Sequence, residues 1–169
     1  MNATAYSYFT SPAAAVTAGG TYTIQVTTSG DTEGAAAWID YDRDGTFEAS
    51  ELLFSGYAGT VPATYSANVT IPVGAFNGTT RMRVRCTYAS NPTTLADPAC
   101  GSVTYGEVED YNVTITGGAE PVAYSWNPGT FLSSTTVAAP LANNVTSNAN
   151  YTVTATSAAG CTAQGFATV

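Results

Sequence analysis

The chain reads as an all-β protein, an antiparallel β-sandwich followed by a second, incomplete sandwich module. Three observations predict this. Apolar and polar residues alternate with a period of two over Thr21–Thr27, Tyr65–Ile71 and Thr80–Tyr88, as expected of strands with one buried face. Thr is the commonest residue and Tyr outnumbers Phe, a composition suited to a pleated, half-buried surface. Gly, Pro and Asn clusters interrupt the alternation at short intervals, where turns are required.

In chain order, Tyr6–Phe9 opens a first strand and Pro12–Gly20 reads as a turn-rich connection. Over Thr21–Thr27, Tyr22, Ile24 and Val26 share the apolar face. Ser29-Gly30-Asp31 turns into a short apolar run, Ala35–Ile39, that carries Trp38. An acidic loop follows, then Leu52–Phe54, a loop over Gly56–Pro62, and a strand whose core face is Tyr65, Ala67, Val69 and Ile71. Over Thr80–Tyr88 the core face is Met82, Val84, Cys86 and Tyr88, which leaves Arg81, Arg83 and Arg85 in a row on the other face. A Gly-Glu-Val-Glu-Asp run, Gly106–Asp110, enters the strand of Tyr111, Val113 and Ile115, with Glu107 and Glu109 in phase with that apolar set. The pattern breaks at Gly117-Gly118, which divides the chain into modules over 1–117 and 118–169. Val122–Trp126, Thr135–Ala138, Tyr151–Ala155 and the segment from Gly160 onward read as strands of the second module, fewer than a complete sandwich needs.

The acidic loop is the most informative stretch. Asp40, Asp42, Asp44, Glu48 and Glu51 stand at loop positions 1, 3, 5, 9 and 12 of a twelve-residue run, with Gly45 at position 6. That is the ligand register of an EF-hand-type calcium loop, in which the Thr46 carbonyl supplies position 7 and Glu51 closes the shell. Five of the chain's 12 acids crowd into it, and their mutual repulsion is relieved by a cation. The alternative is a solvated acidic turn. The flanking runs are strand-like, so the expected arrangement is strand–loop–strand with Ca2+ clamping the connection.

Composition excludes several function classes. The net charge is −8, Lys and His are absent, and only 9% of residues are charged. Such a field makes nucleic acid and anionic membranes poor partners. The absence of His removes Ser-His and Cys-His catalysis and most zinc sites, and no apolar run reaches membrane-spanning length. Cys86 and Cys100 bracket a loop that a disulfide would close over about 15 residues, contributing about 3 kcal/mol; two free thiols are the other reading, and Cys161 has no mate. Three arginines at two-residue spacing call for anions, and a ladder of Arg81, Arg83 and Arg85 with Glu107 and Glu109 across neighbouring strands is the structural expectation. In it the glutamates either point inward, paired with arginine or an ion, or are re-aimed by a bulge near Gly106. An acid/base or ligand-binding role for the two glutamates is the rival reading.

The blocks AWIDYDRDGTFEASE, RMRVRCTY and CGSVTYGEVEDYNVTI, in that order and spacing, resemble the GEVED domain over about residues 1–117. The resemblance implies an extracellular β-sandwich module, immunoglobulin-like or jelly-roll-like, from long secreted or surface proteins of Bacteroidota-type bacteria. Its implied role is non-catalytic, accessory or adhesive. Residues 120–169 are loosely similar to the immunoglobulin-like or PKD-like repeats of the same proteins, through Tyr124–Pro128, Leu132–Thr135, Tyr151–Ala155 and Gly160-Cys161-Thr162. The expectation is therefore a calcium-stabilised, extracellular, non-enzymatic module pair for adhesion or structural spacing. Its partners would be other modules of the same or neighbouring chains, glycans or surface proteins. Two further classes stand beside it: a carbohydrate-binding accessory module that stacks Trp38, Trp126 or a Tyr pair on sugar rings, and a filament subunit completed by a neighbour's strand.

Overall fold

Period-two alternation becomes paired strands throughout. The computed structural model describes residues 5–102, 104–120, 122–157 and 160–169. The chain divides into two units, Met1–Ala119 and Glu120–Val169. In the first, the strands are β1 (Ala5–Thr17), β2 (Thr21–Thr28), β3 (Glu33–Ile39), β4 (Leu52–Tyr57), β5 (Ala63–Thr70), β6 (Gly78–Tyr88) and β7 (Gly106–Thr116). They form a five-stranded sheet in the order β1-β7-β6-β3-β4 and a two-stranded sheet of β2 and β5.

The register sorts the side chains as alternation requires. Tyr22 lies opposite Val69, Ile24 opposite Ala67 and Val26 opposite Tyr65, while Thr21–Thr70 and Thr23–Asn68 pair on the other face. The core gathers Ile39, Tyr41, Ile71, Ala75, Val113 and Ile115, with Val69 and Met82 packed against them. A second cluster joins Ala35, Ala63, Tyr65 and Cys86, with Val26 and Phe54. Burying these side chains contributes roughly 1.5–3 kcal/mol for each large aliphatic group.

The run Gly34–Ile39 does not alternate, and β3 explains why: every one of these residues is buried. One face of β3 meets the core. The other packs Ala36 and Trp38 against Ala99, with Phe47 and Leu52 alongside. A strand covered on both faces has no polar phase. Gly34 is required because the Ser90 carbonyl sits where a Cβ would be.

Three expectations change. Pro12–Gly20 is mostly strand: β1 runs to Thr17 and pairs with β7 in parallel, with a register break between Phe9 and Ala14. The break lies in an edge strand, where irregular pairing is common. Tyr88 lies at the end of β6 and is exposed, stacked edge-on to Tyr105. In the second unit, β8 (Val122–Asn127), β9 (Asn150–Ser157) and β10 (Thr162–Thr168) form one antiparallel sheet in the order β10-β9-β8. Thr135–Ala138 is not a strand; its Thr135 and Val137 carbonyls accept from the backbone and indole N–H of Trp126, each at 2.9 Å. Among the described residues no helix is long and apolar enough to cross a membrane.

Candidate metal centre

The acidic loop leaves β3 at Ile39 and returns through a 3-10 turn, Ala49–Glu51, into β4. Its course is dictated locally. Gly45 adopts φ +89° and Arg43 φ +59°, both in the left-handed region that a glycine enters freely and an arginine only at a cost. Asx-type hydrogen bonds hold the curl: Asp42 Oδ1 accepts from Asp44 N at 3.2 Å, and Asp44 Oδ1 accepts from Thr46 N at 2.8 Å. Asp40 Oδ2 accepts from Gly45 N at 3.2 Å.

Glu51 is the pivot. It ends the 3-10 turn, is only 4% exposed, and reaches back across the loop. Its Oε1 accepts from Tyr41 N at 2.5 Å and its Oε2 from Glu48 N at 3.2 Å. Residue 12 of the run is thus tied to the amides of residues 2 and 9. The outcome is two overlapping oxygen clusters. Asp40, Asp42 and Asp44 each offer a carboxylate oxygen within 4.8 Å of the other two, and so do Asp42, Glu48 and Glu51. Asp42 belongs to both. The Thr46 hydroxyl lies between Asp44 and Glu48 and donates to one of them at a time.

The electrostatics are unfavourable without a cation. Burial, with Glu48 beside it, pushes the Glu51 carboxyl up to about 7. Burial raises the Asp40 carboxyl too, with Asp42 and Asp44 adding to the shift. Asp44, which accepts from the Thr46 hydroxyl and amide, is lowered. Asp40 Oδ1 is buried with no hydrogen-bond partner among the described residues. An orphaned buried carboxylate oxygen costs free energy unless something fills its coordination, and an oxygen-liganded divalent cation does so. The donor set of five carboxylates, with no nitrogen or sulfur, fits a hard ion. These clustered acids could hold a metal ion.

A second charged cluster sits on the face of the five-stranded sheet that carries Trp38. Arg83 lies opposite Asp110 in the β6–β7 register and binds it with both forks, Nε to Oδ1 at 2.7 Å and Nη2 to Oδ2 at 2.8 Å. Tyr6 donates its hydroxyl to the same carboxylate at 3.0 Å, and Arg81 Nε approaches at 3.5 Å. Asp110 is fully buried. Arg85 is also fully buried, and its guanidinium donates to the carbonyls of Asp97, Pro98 and Gly101, pinning the long β6–β7 connection onto the sheet.

Residues 34–114 match the family model described as GEVED domain. The match covers a little under half of the chain and contains the acidic loop, the arginine row and the Gly106–Asp110 run. No curated protein and no solved structure matches the chain.

Two expectations for the matched segment are corrected. The ladder of Arg81, Arg83 and Arg85 with Glu107 and Glu109 does not form. Alternation puts Glu107 opposite Cys86 and Glu109 opposite Val84, on the core side of the sheet, whereas the arginines face the other way. Glu109 instead accepts from the Tyr111 hydroxyl at 2.5 Å, and Glu107 is exposed. The anion in phase with the arginines is Asp110, a residue the ladder expectation passed over. The signal was present: Asp110 and Asn112 share the non-core phase of their strand, the only phase an acid could use to meet Arg83.

The Cys86–Cys100 bridge is also not formed, and Cys86, Cys100 and Cys161 are free. The two bracketing thiols lie on opposite sides of one sheet. Cys86 is in the core with Ala35 and Tyr65, while Cys100 Sγ lies 3.2 Å from Arg83 Nη1 on the other face. No side-chain rotation bridges a sheet. Trp38 is buried under Ala99 and presents no ring for stacking on a sugar. Trp126 is half-buried and donates its indole N–H to the Val137 carbonyl at 2.9 Å.

Proposed function

We propose that the chain is a calcium-stabilised, non-catalytic extracellular module pair that serves adhesion or structural spacing. One observation carries the calcium reading. Five carboxylates converge on the β3–β4 connection, with Asp40 Oδ1 buried and unpartnered, while arginines neutralise a different buried carboxylate. Asp40, Asp42, Asp44, Glu48 and Glu51 would hold the ion. The ion supplies positive charge among the carboxylates, where the loop's own cation, Arg43, is turned to the Asn77 carbonyl, and ties β3 to β4. Extracellular modules bind calcium at roughly 10⁻⁴–10⁻³ M, so the site would be filled outside the cell and largely empty in the cytosol, linking rigidity to secretion. A covered two-sheet fold with a hydroxyl-rich, weakly charged surface suits a spacer or adhesive module.

Thermal unfolding of the full chain in millimolar calcium and in chelator tests the reading. A higher melting temperature in calcium is expected, and identical curves would refute it.

The second unit supports a further assembly reading. Its sheet has three strands, Tyr151 is its one buried hydrophobic side chain among the described residues, and Phe166 is 81% exposed. Completion by strands of a neighbouring copy would cover that surface. Size-exclusion chromatography and negative-stain images of the chain separate a filament from a monomer.

A further inference from the structure

The chain carries four cationic side chains, all arginines; Arg83 is held on Asp110 and Arg85 on loop carbonyls, while Arg81 reaches Asp110 through Nε alone, at 3.5 Å. Arg43 and Arg81 are exposed. They line the same cavity of about 420 Å³, between the acidic loop and the face of β6, β7 and β1. In a protein of net charge −8, convergence of its two exposed cations on one cleft is a feature to be explained.

The rest of the lining defines the chemistry. Tyr8 and Phe47 supply ring edges, each already held by an arginine: Arg81 lies 5.2 Å from the Tyr8 ring centroid and Arg83 4.9 Å from that of Phe47. Both rings are therefore fixed before any ligand arrives. Asn112 accepts from the Tyr8 hydroxyl at 2.6 Å, which leaves its amide group as a donor. Asp44 and two threonines add acceptors and hydroxyls. Arg43 donates one hydrogen bond, to the Asn77 carbonyl at 2.8 Å, and Arg81 makes one long contact to Asp110. Each guanidinium has five N–H donors, so both keep forks free for a carboxylate. Among the described residues the lining is mostly polar and charged, with no deep apolar pocket for a peptide side chain. Mixed donors and acceptors beside aromatic edges match the hydroxyls and ring faces of a sugar, and the volume is that of a small-ligand site.

We propose that the cleft between Arg43, Arg81, Tyr8 and Phe47 binds an acidic saccharide, a uronate whose carboxylate is taken by the two arginines. This deepens the adhesive reading and rests on the calcium reading in one respect: Asp40 and Asp44 border the cleft, and a cation on the loop offsets their repulsion of an anion. Trp38 and Trp126 play no part in it.

The test is titration of the full chain with digalacturonate in millimolar calcium, read from backbone amide and arginine Nε–H shifts. Calcium alone is titrated first by calorimetry. Digalacturonate is expected to shift Arg81, Arg43 and Asn112. Its neutral counterpart, a galactose disaccharide, should bind at least about tenfold more weakly, and Arg81→Gln should weaken digalacturonate about 10–100-fold, as loss of a charged hydrogen bond does. Calcium affinity of Arg81→Gln should stay within about twofold of the parent, because Arg81 is not a ligand of the loop. Equal binding of the neutral sugar, an unchanged Arg81→Gln, or tighter binding of triglutamate (a peptide site) overturns the proposal. Calcium binding without digalacturonate binding removes the saccharide inference and leaves the calcium reading standing. Digalacturonate binding without calcium binding does the reverse, and failure of both removes both.

Discussion

Asp110 and Asp40, two of the three carboxylates buried among the described residues of the first unit, are held in different circumstances. Asp110 is closed in by Arg83, Arg81 and Tyr6, all belonging to the chain. Asp40, 6% exposed, accepts from the Gly45 amide through Oδ2, and its Oδ1 has no hydrogen-bond partner among the described residues. The same residue type, at similar burial, is self-sufficient in one place and dependent in the other. A protein that supplies its own counter-ion at one site and gathers five acids without one at another has made the second site conditional on its surroundings. The cost of burying a charge sets this difference: it is large for an isolated ion and falls only when a partner of opposite sign sits in contact.

The comparison can be broken most forcefully at Asp110. Replacing it with Ala strands Arg83, whose side chain is 13% exposed, and should destabilise the first unit by about 3–5 kcal/mol. Urea unfolding monitors this, and the loss should be the same in calcium and in chelator. A loss that calcium rescues would mean that the two clusters are one site.

At the acidic loop the dependence should run the other way. With calcium at ten times its dissociation constant, linkage gives about 1.4 kcal/mol of stabilisation, a rise of roughly 3–6 °C in melting temperature. Asp42→Ala, which removes the residue common to both oxygen clusters, should abolish that rise. In chelator it should change stability by less than about 1 kcal/mol, since Asp42 is exposed and its described hydrogen bond is to the Asp44 amide.

Acid–base behaviour sharpens the contrast. The Glu51 carboxyl titrates at about 7 in the fold against 4.5 for the free group. The folded chain therefore holds that proton more tightly than the unfolded one. In chelator the stabilisation is complete below about pH 4.5 and is lost as pH rises through about 7. On the calcium reading the ion would bind the deprotonated loop, so the calcium-induced rise in melting temperature should grow over that same window. A calcium effect independent of pH between 5 and 7.5 would remove Glu51 from the shell.

The smallest effect concerns the thiols. Burial in the core pushes Cys86 up to about 12, and Cys100 and Cys161 are exposed. The native chain should show two fast-reacting thiols with an aromatic disulfide reagent and a third only after unfolding. A reducing agent should leave the melting temperature unchanged within about 1 °C, because no bond is there to break.

Much of this was legible along the chain. Alternation in Thr21–Thr27 and Thr80–Tyr88 marks the strands and their buried faces, because side-chain direction in a strand depends only on residue parity. The spacing from Asp40 to Glu51 marks the oxygen cluster, because a tight loop is a local structure whose ligands lie within twelve residues. Even the anti-phase of Glu107 and Glu109 against the arginine row could be read, although its consequence, Asp110 as the partner, emerges only with the β6–β7 register.

What the sequence determined by itself is therefore whatever rests on neighbours in the chain: strand parity, turn chemistry and the curl of the acidic loop. Tertiary structure alone decided which side of a sheet a distant residue reaches. It placed Cys100 across the sheet from Cys86, laid β1 parallel to β7, and brought Tyr8 and Arg81 to the same cleft as Arg43. These are contacts between segments separated by tens of residues, where loop-closure entropy is repaid only by the whole packed assembly, and no local pattern records them.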